Sequence, residues 1–504
     1  YDKVCCSLSI TIHSLCSFGG RLLHCDYRCY HQVLEMTTKG FDLLPKGVEE
    51  TPFYHGLLPR EDVVELLAEV GDFMLRISQP KHTDPRELII SVRVAKDTCP
   101  SSIRHIIVRR QKFPQGEVKY LAVEALGFDS VDDLLQHYTK QKTPINPQVK
   151  TSVLLKAVER QPWEFHHEEI RLKKLLGAGA FGEVRAGEVT IKGKKVECAI
   201  KLAKVVKDEA QLIHAKEKIK ELMHEARLMR HYDHDNVVRI YGVAVDREPL
   251  MILIELVKGG SILDDLRKRH STITNEEKLN NMVLGSAKGI AYLHSKGCIH
   301  RDIAARNVLY TNKKVAKISD FGMSREGGIY RMRRCMKVPI KWTAPETITT
   351  FIYTLKTDVF SFSILIWEVF SNGKDPYKGM TNTAVKKIVT AGFRMEIPEC
   401  PYGIANLIEH CWEQNPDTRW SMDEAVQELE SLIKKEAARE KIHSMSSKRT
   451  GQSSKRTSES SEHDDKERNW THSLKSSKFT KSCIIGKSEI EVEQRGRSKK
   501  GKFK

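Results

Sequence analysis

The stretch His300-Arg301-Asp302-Ile303-Ala304-Ala305-Arg306-Asn307, followed by Asp320-Phe321-Gly322 and then Ala344-Pro345-Glu346, decides the reading of this chain. Phosphoryl transfer asks a protein for positioning and charge neutralisation more than for covalent chemistry. Asp302 has the chemistry to accept the proton of an attacking hydroxyl and orient it in line. Asn307 and Asp320 offer the hard oxygen ligands that Mg2+ prefers. Singly these pieces are weak, since a lone Asp-Phe-Gly is usually a turn; their joint order and spacing carry the inference.

Upstream, Gly177-Ala178-Gly179-Ala180-Phe181-Gly182-Glu183-Val184 lies between strand-like segments. Glycine lets backbone amides approach phosphate oxygens because no Cβ intervenes. A dinucleotide-binding turn should open a helix; here 183–188 continues as strand, which favours a flap over phosphates. Cys198-Ala199-Ile200-Lys201 follows on the next strand, and Lys201 is a candidate phosphate ligand. Such a lysine needs a carboxylate to fix it. Glu225 lies on a helix whose Ile219, Leu222, Met223, Ala226 and Met229 form an apolar face, although taken alone it also reads as an ordinary solvated glutamate.

The pattern divides the chain into regions. Residues 1–50 are uninformative, and Met36 is the expected start. Over 53–145, strand-like runs at 73–77, 87–94 and 103–109 are bracketed by amphipathic helices near 61–70 and 130–138, the second carrying Val131, Leu134, Leu135 and Tyr138 at helical spacing. A linker with Pro147 and Pro162 covers 146–167. Residues 168–434 begin strand-rich, with a helix near 214–230, and continue as helices near 276–295, 357–371 and 423–435. A β-rich lobe joined to an α-rich lobe leaves a cleft where ligands bind.

On these residues, 168–434 resembles a protein kinase domain from end to end. The resemblance implies a bilobal α+β fold that uses ATP and Mg2+, with Lys201, Glu225, Asp302, Asn307 and Asp320 filling the family's positions without substitution. It implies that Leu176, Gly177, Gly179, Gly182 and Val184 cover the nucleotide. Val184, Ala199 and Leu309 sandwich the base, Glu255 and Val257 of Glu255-Leu256-Val257 meet adenine, and Ile254 is the gatekeeper. Glu346 is expected to pair with a buried Arg419. Two features point to tyrosine as acceptor: Ala304 stands where serine/threonine kinases carry lysine, with Arg306 just before Asn307, and Val338-Pro339-Ile340-Lys341-Trp342-Thr343-Ala344-Pro345-Glu346 matches the tyrosine-kinase platform, which lets a long phenol reach Asp302. Tyr330, among Arg325, Arg331, Arg333 and Arg334, is implied to be the regulatory phosphorylation site, its phosphate pairing with Arg301 and basic neighbours.

Residues 53–145 resemble an SH2 domain, an antiparallel sheet flanked by two helices, opening at Phe53-Tyr54-His55-Gly56. Phe73-Met74-Leu75-Arg76-Ile77-Ser78 matches the strand with that family's phosphate-binding arginine. Arg76 would meet phosphotyrosine bidentately, a geometry lysine cannot reproduce, with Arg60, Ser78 and His105 in support. A buried strand arginine without an anion would need an internal carboxylate partner. Phe53 departs from the usual tryptophan, and Ile107 from a lysine beside the pocket. Module order, Glu255–Gly260 as Glu-Leu-Val-x-Gly-Gly, and Arg104-His105 are similar to the Fes/Fer subfamily of non-receptor tyrosine kinases, whose long N-terminal membrane-curving domain this chain is expected to lack. Phe360 and Ser363 depart from the family's Trp and Gly and are expected to affect packing more than chemistry.

Composition excludes other classes. Of 504 residues, 40% are apolar and 30% charged, as in a globular protein. The longest apolar candidate for a membrane span, 364–370, is short and carries Glu368. Residues 441–504 hold seventeen Lys and Arg against eight Asp and Glu, over half of the net +17. That Ser/Lys-rich tail is expected to be disordered, as is the N-terminus, and a weak contact with anionic membrane is the most it suggests. No motif with interleaved aromatics supports specific nucleic-acid binding. Of twelve cysteines, five fall in the first thirty residues and the rest are scattered, without paired metal spacing, which suits a reducing compartment, so a cytoplasmic location, at most peripheral at the plasma membrane, is expected. The partners expected are tyrosine-containing protein substrates and phosphotyrosine peptides.

Overall fold

The structure is a computed structural model that describes residues 44–78, 86–113, 116–124, 126–179, 182–203, 209–332 and 338–453; for 209–218 and 440–453 it describes the backbone only. The expectations for 1–43, for Ala180, Phe181, Arg333 and Arg334, and for 454–504 lie outside those residues.

In the amino-terminal module the apolar runs, buried on both faces in the central strands, build a four-stranded sheet in the order β3-β2-β1-β6, from β1 (Asp72–Ser78), β2 (Glu87–Arg93), β3 (Ile103–Ile107) and β6 (Lys156–Ala157). A small sheet of β4 (Arg109–Lys112) and β5 (Val118–Leu121) stands beside it. Helix α1 (Arg60–Leu66) covers one face and α2 (Val131–Gln141) the other. Ser130 caps α2 by accepting from Asp133 N, and Val131, Leu134, Leu135 and Tyr138 are its buried residues. The expected helix at 61–70 stops earlier because Asp72 accepts from Ala68 N and Glu69 N, at 3.0 and 2.8 Å, and turns the chain into β1. The expected strand at 103–109 is broken at Val108, which turns inward and is buried.

The second module starts with a five-stranded antiparallel sheet, order β10-β11-β9-β8-β7, from β7 (Ile170–Gly179), β8 (Gly182–Ile191), β9 (Lys194–Ala203), β10 (Ile240–Ala244) and β11 (Met251–Glu255). Helix α3 (Glu209–Arg230) crosses it. The larger lobe is helical, with α4 (Ile262–Lys268), α5 (Leu284–Ser295), α6 (Pro345–Thr350), α7 (Leu355–Phe370), α8 (Asn382–Thr390), α9 (Ile404–Cys411) and α10 (Met422–Ser453). Helix α7 starts at a Thr354 capping box and is buried along nearly its whole length; its apolar core anchors everything the large lobe presents to the cleft.

Three further expectations change. The helix near 276–295 is not uniform: a turn at Asn275–Glu277 leads into a π-helical segment, Lys278–Val283, before α5. A six-residue segment has too few turns for apolar spacing to reveal that winding. Helix α10 runs on to Ser453, past residue 441 where a disordered tail was expected. The linker at 146–167 is built into both sheets: Lys156 and Ala157 pair in parallel with Asp72 and Phe73, and Val243 N donates to the Trp163 carbonyl at 2.8 Å.

The amino-terminal module is docked on the smaller lobe. Buried His55 contacts Glu164 through Nδ1 at 2.9 Å and the Val158 carbonyl through Nε2 at 2.9 Å. Gly56, at φ +54°, packs so tightly that a Cβ there would lie 2.3 Å from the Val245 carbonyl oxygen. Asp62 of α1 reaches Arg227 of α3 at 2.7 and 3.1 Å and Arg230 at 2.8 Å. Arg230 also stacks on Trp163 of the linker, 3.9 Å from the ring centre. Among the described residues no helix is long and apolar enough to cross a membrane.

Candidate active site

Between the lobes lies a cleft of about 1080 Å³. Leu176, Val184, Ala199, Ile254, Leu256, Val257 and Leu309 make its apolar end, with Glu255 at the edge beside them, and Lys201, Glu225, Arg306, Asn307 and Asp320 make its polar end. Strand register explains the lysine: Lys201 stands opposite Val184 on one side and Ile252 on the other, so its stem is packed between apolar neighbours and only the ammonium reaches the cleft. There it donates to Glu225 of α3, with Asp320 Oδ1 at 3.8 Å. Burial alone would depress the Lys201 pKa, but the two carboxylates outweigh it and raise it. The ammonium is therefore a fixed positive charge.

The carboxylate Asp302 stands beyond the cleft wall and is joined to it by its neighbours. Arg306 donates to Asp302 Oδ1, and Asn307 Nδ2 donates to Asp302 Oδ2 at 2.7 Å and to its carbonyl at 2.8 Å. With Nδ2 so engaged, Asn307 has its amide oxygen left for a cation. Asp320, at φ +64°, is half-exposed towards the same space. Asn307 and Asp320 thus form a hard-oxygen donor pair that fits Mg2+. The segment is held from below: buried Asp358 of α7 accepts from His300 N at 2.7 Å and Arg301 N at 2.8 Å. Phe321 is buried between the rings of His300 and Tyr232, 5.2 and 5.7 Å away.

A second support comes from Glu368, buried on α7. Its Oε2 accepts from Ala305 N at 2.9 Å and from Trp342 Nε1 at 3.0 Å, and the Trp342 ring lies 4.4 Å beneath the Arg306 guanidinium. Desolvation pushes Glu368 up to about 7 despite those two donors. This carboxylate therefore ties the platform at Trp342 to the segment carrying Asp302. Farther out, Glu346 and buried Arg419 are bidentate at 2.8 and 3.1 Å, as expected. Phe360 fills the space below, 5.3 Å from Arg419, and Ser363 Oγ donates to the Phe360 carbonyl at 2.6 Å.

Tyr330 lies on the short strand Ile329–Arg331, which pairs with Ile352–Thr354. Its ring is 4.4 Å from the Arg301 guanidinium, which also lies 4.3 Å from the Tyr353 ring, and the two rings are tilted against each other with their centres 6.4 Å apart. Arg301 gives one N–H to the Met323 carbonyl at 2.9 Å, while its buried Nε and Nη2 have no hydrogen-bond partner among the described residues. Burial lowers the Arg301 pKa. A buried guanidinium with idle donors is primed for an anion.

In the amino-terminal module Arg76 is buried on β1. Its Nε donates to Ser91 Oγ at 3.0 Å and its Nη2 lies 3.3 Å from His105 Nδ1. Among the described residues no carboxylate pairs with it, so the internal partner a purely structural arginine would need is not among them. Burial first, then the nearby Arg60 charge, lowers Arg76 to about 10, and burial with Arg76 and Arg60 lowers His105 to about 3. Arg60 is itself exposed. Ile107, two residues beyond His105 on β3, is 39% exposed on the same face.

Of the residues the sequence pointed to, the structure brings Lys201, Glu225, Asn307 and Asp320 to one end of the cleft, with Asp302 hydrogen-bonded behind them. Gly177, Gly179 and Gly182 lie in the β7–β8 hairpin, Gly179 opposite Gly182. Ser78 ends β1 and has no described bond to Arg76; Ser91 takes that place. Sequence reasoning missed Ser91, whose signal is a small polar residue inside the apolar run 88–94. It gave no role to Glu368, the one charge within 364–370.

Comparisons with known proteins give the same two parts. A model of the protein tyrosine and serine/threonine kinase family matches residues 170–429, and an SH2 domain model matches residues 53–138. The chain is 38% identical over 412 residues to the tyrosine-protein kinase Fer of Mus musculus, which covers 80% of this chain and 46% of Fer. It is 36% identical over 388 residues to Fer-related kinase 1 of Caenorhabditis elegans, with 76% of this chain and 94% of that protein covered. It is 38% identical over 394 residues to the transforming protein Fps of avian sarcoma virus (strain PRCII), with 77% and 69% covered. The chain spans about half the length of the Fer proteins it matches.

Proposed function

From a chain that belongs to the protein tyrosine and serine/threonine kinase family, with an SH2 domain ahead of the matched region, we propose a non-receptor protein-tyrosine kinase: an enzyme that moves the γ-phosphoryl group of ATP to a tyrosine hydroxyl of a protein. The observation that carries this reading is the convergence of the Lys201–Glu225 pair, Asp320 and the Asn307–Asp302 pair on one inter-lobe cleft.

The apolar end of the cleft takes adenine, and the β7–β8 hairpin covers the phosphates. Lys201, held by Glu225, meets phosphate oxygens with a fixed positive charge. Asp302, turned by Asn307 and Arg306, accepts the proton of the incoming phenol and aligns its oxygen for attack. The bond to the γ-phosphorus forms as the bond to the ADP oxygen breaks, and ADP leaves with the negative charge. Asn307 and Asp320 would hold Mg2+, which when bound neutralises phosphate charge. Ala304 and the platform at Trp342 support tyrosine as acceptor.

Arg76, with Ser91 and His105 beside it, is proposed to bind phosphotyrosine, with Arg60 adding positive charge. Tyr330 is proposed as the regulatory phosphorylation site, because a phosphate there would give the idle N–H groups of Arg301 an acceptor. A cytoplasmic location suits both substrates. The test is incubation of the purified chain with magnesium-ATP and a tyrosine peptide beside Asp302→Asn: wild type should form phosphotyrosine at least a thousandfold faster, and equal rates would defeat the proposal (~4 kcal/mol of transition-state stabilisation).

A further inference from the structure

Helix α3 carries Glu225 to Lys201, and its position sets whether that pair forms. The adjacent residue His224 points about 100° away around the helix. Its Nε2 lies 3.1 Å from the carbonyl oxygen of Ser324, two residues past the Asp320-Phe321-Gly322 turn. Burial lowers the His224 pKa and Arg325 adds to this, so the ring is neutral and its Nε2 must carry the hydrogen to donate to the carbonyl. Just beyond the helix, His231 Nδ1 lies 3.3 Å from Glu326 Oε1. The two histidines are seven residues apart, and their partners are two apart, Ser324 just before and Glu326 at the end of the short strand Arg325–Glu326, which pairs with Cys298–Ile299. One side of α3 is thus laced to the segment that leaves the turn.

We propose that His224 is a positioning residue of the phosphoryl-transfer site, whose hydrogen bond to the Ser324 carbonyl couples the seating of α3, and hence the Lys201–Glu225 pair, to the ordered Asp320-Phe321-Gly322 turn.

This rests on the kinase reading above. Because Glu225 and His224 are adjacent, any rotation or outward swing of α3 that separates Glu225 from Lys201 also pulls His224 from Ser324; the two contacts form and break together. A structural role is disfavoured by the partners. The Ser324 carbonyl also accepts from Arg325 Nη1 at 2.6 Å, so removing the histidine leaves no orphaned buried acceptor. The loss then falls on the seating of α3 and not on the stability of the chain. The His231–Glu326 pair is half-exposed on both sides, which marks it as the weaker rung.

The test compares His224→Leu, which fills the space without a donor, with His224→Gln, whose amide nitrogen can reach the same carbonyl. In the full chain, kcat for a tyrosine peptide should fall about fivefold in His224→Leu, the worth of one net hydrogen bond, with peptide KM within twofold and an unchanged melting temperature. His224→Gln should recover most of kcat. Amide hydrogen exchange over 319–327 should quicken in His224→Leu alone. Wild-type kcat in His224→Leu, equal losses in both variants, or a His224→Leu chain that fails to fold would overturn the proposal. If wild type itself transfers no phosphate, the kinase reading fails instead, and unchanged exchange over 319–327 would then overturn the tie on its own.

Discussion

Replacing Asp62 with asparagine keeps the volume of the side chain and removes its charge from the contact between α1 and α3. The carboxylate is almost fully buried and faces two arginines whose side chains keep 17% and 12% exposure. It accepts three charged hydrogen bonds at 2.7, 2.8 and 3.1 Å. Breaking a buried ion pair by removing one partner costs about 3–5 kcal/mol. Because both guanidinium groups retain some water, the lower end applies: about 3 kcal/mol, or a hundredfold on the docking equilibrium. Urea unfolding of the full chain reads this directly. Wild type should unfold with both modules coupled, whereas Asp62→Asn should separate the transitions and lower kcat/KM by several-fold as α3 loses its outer support. The loss should survive at 0.5 M salt, since buried pairs are poorly screened, and a double-mutant cycle with Arg227→Ala should return a coupling of at least about 1 kcal/mol. A change below about 0.5 kcal/mol with no loss of activity would refute the reasoning.

Two further outcomes follow from buried charges elsewhere. Arg76→Leu should weaken a phosphotyrosine peptide about a hundredfold by removing a charge-assisted, bidentate contact, while activity on a short unphosphorylated peptide stays within twofold; retained affinity measured by calorimetry would move the phosphate site elsewhere. Glu368 titrates near 7 in the folded chain against an ordinary 4.5, so between those values only the folded chain holds the proton. Stability should therefore fall by about 3 kcal/mol as pH rises from 4.5 through 7, and Glu368→Gln should flatten that slope in urea melts; an unaltered slope counts against the shift.

The fold class was legible because the apolar, β-branched runs at 73–77 and 87–94 and the helical spacing at Val131, Leu134, Leu135 and Tyr138 are local signals. The residues meeting in the cleft were also legible, since their motifs, order and spacing resemble those of the protein kinase family. What escaped were contacts between segments distant in sequence. Asp62 reads as an acid suited to a helix N-terminus, and nothing nearby announces Arg227 and Arg230, 165 and 168 residues away. Ser91 and Glu368 each sit within an apolar run, and only tertiary neighbours give them Arg76 in one case and Ala305 with Trp342 in the other. The linker read as connection because its prolines signal extended chain, while its pairing with Asp72, Phe73 and Val243 depends on sheet edges built elsewhere. The run of α10 past 441 was missed because a charged, apolar-poor composition argues for disorder without excluding helix.

The account stands on the chemistry of the cleft, and twin peptides test it most directly. Two peptides identical except for one acceptor, tyrosine in the first and serine in the second, are incubated with the full chain, magnesium and γ-labelled ATP. Label should accumulate on the tyrosine peptide at least a hundredfold faster than on its twin (~3 kcal/mol of discrimination between acceptors). Label appearing equally on both peptides, or on neither, would contradict it.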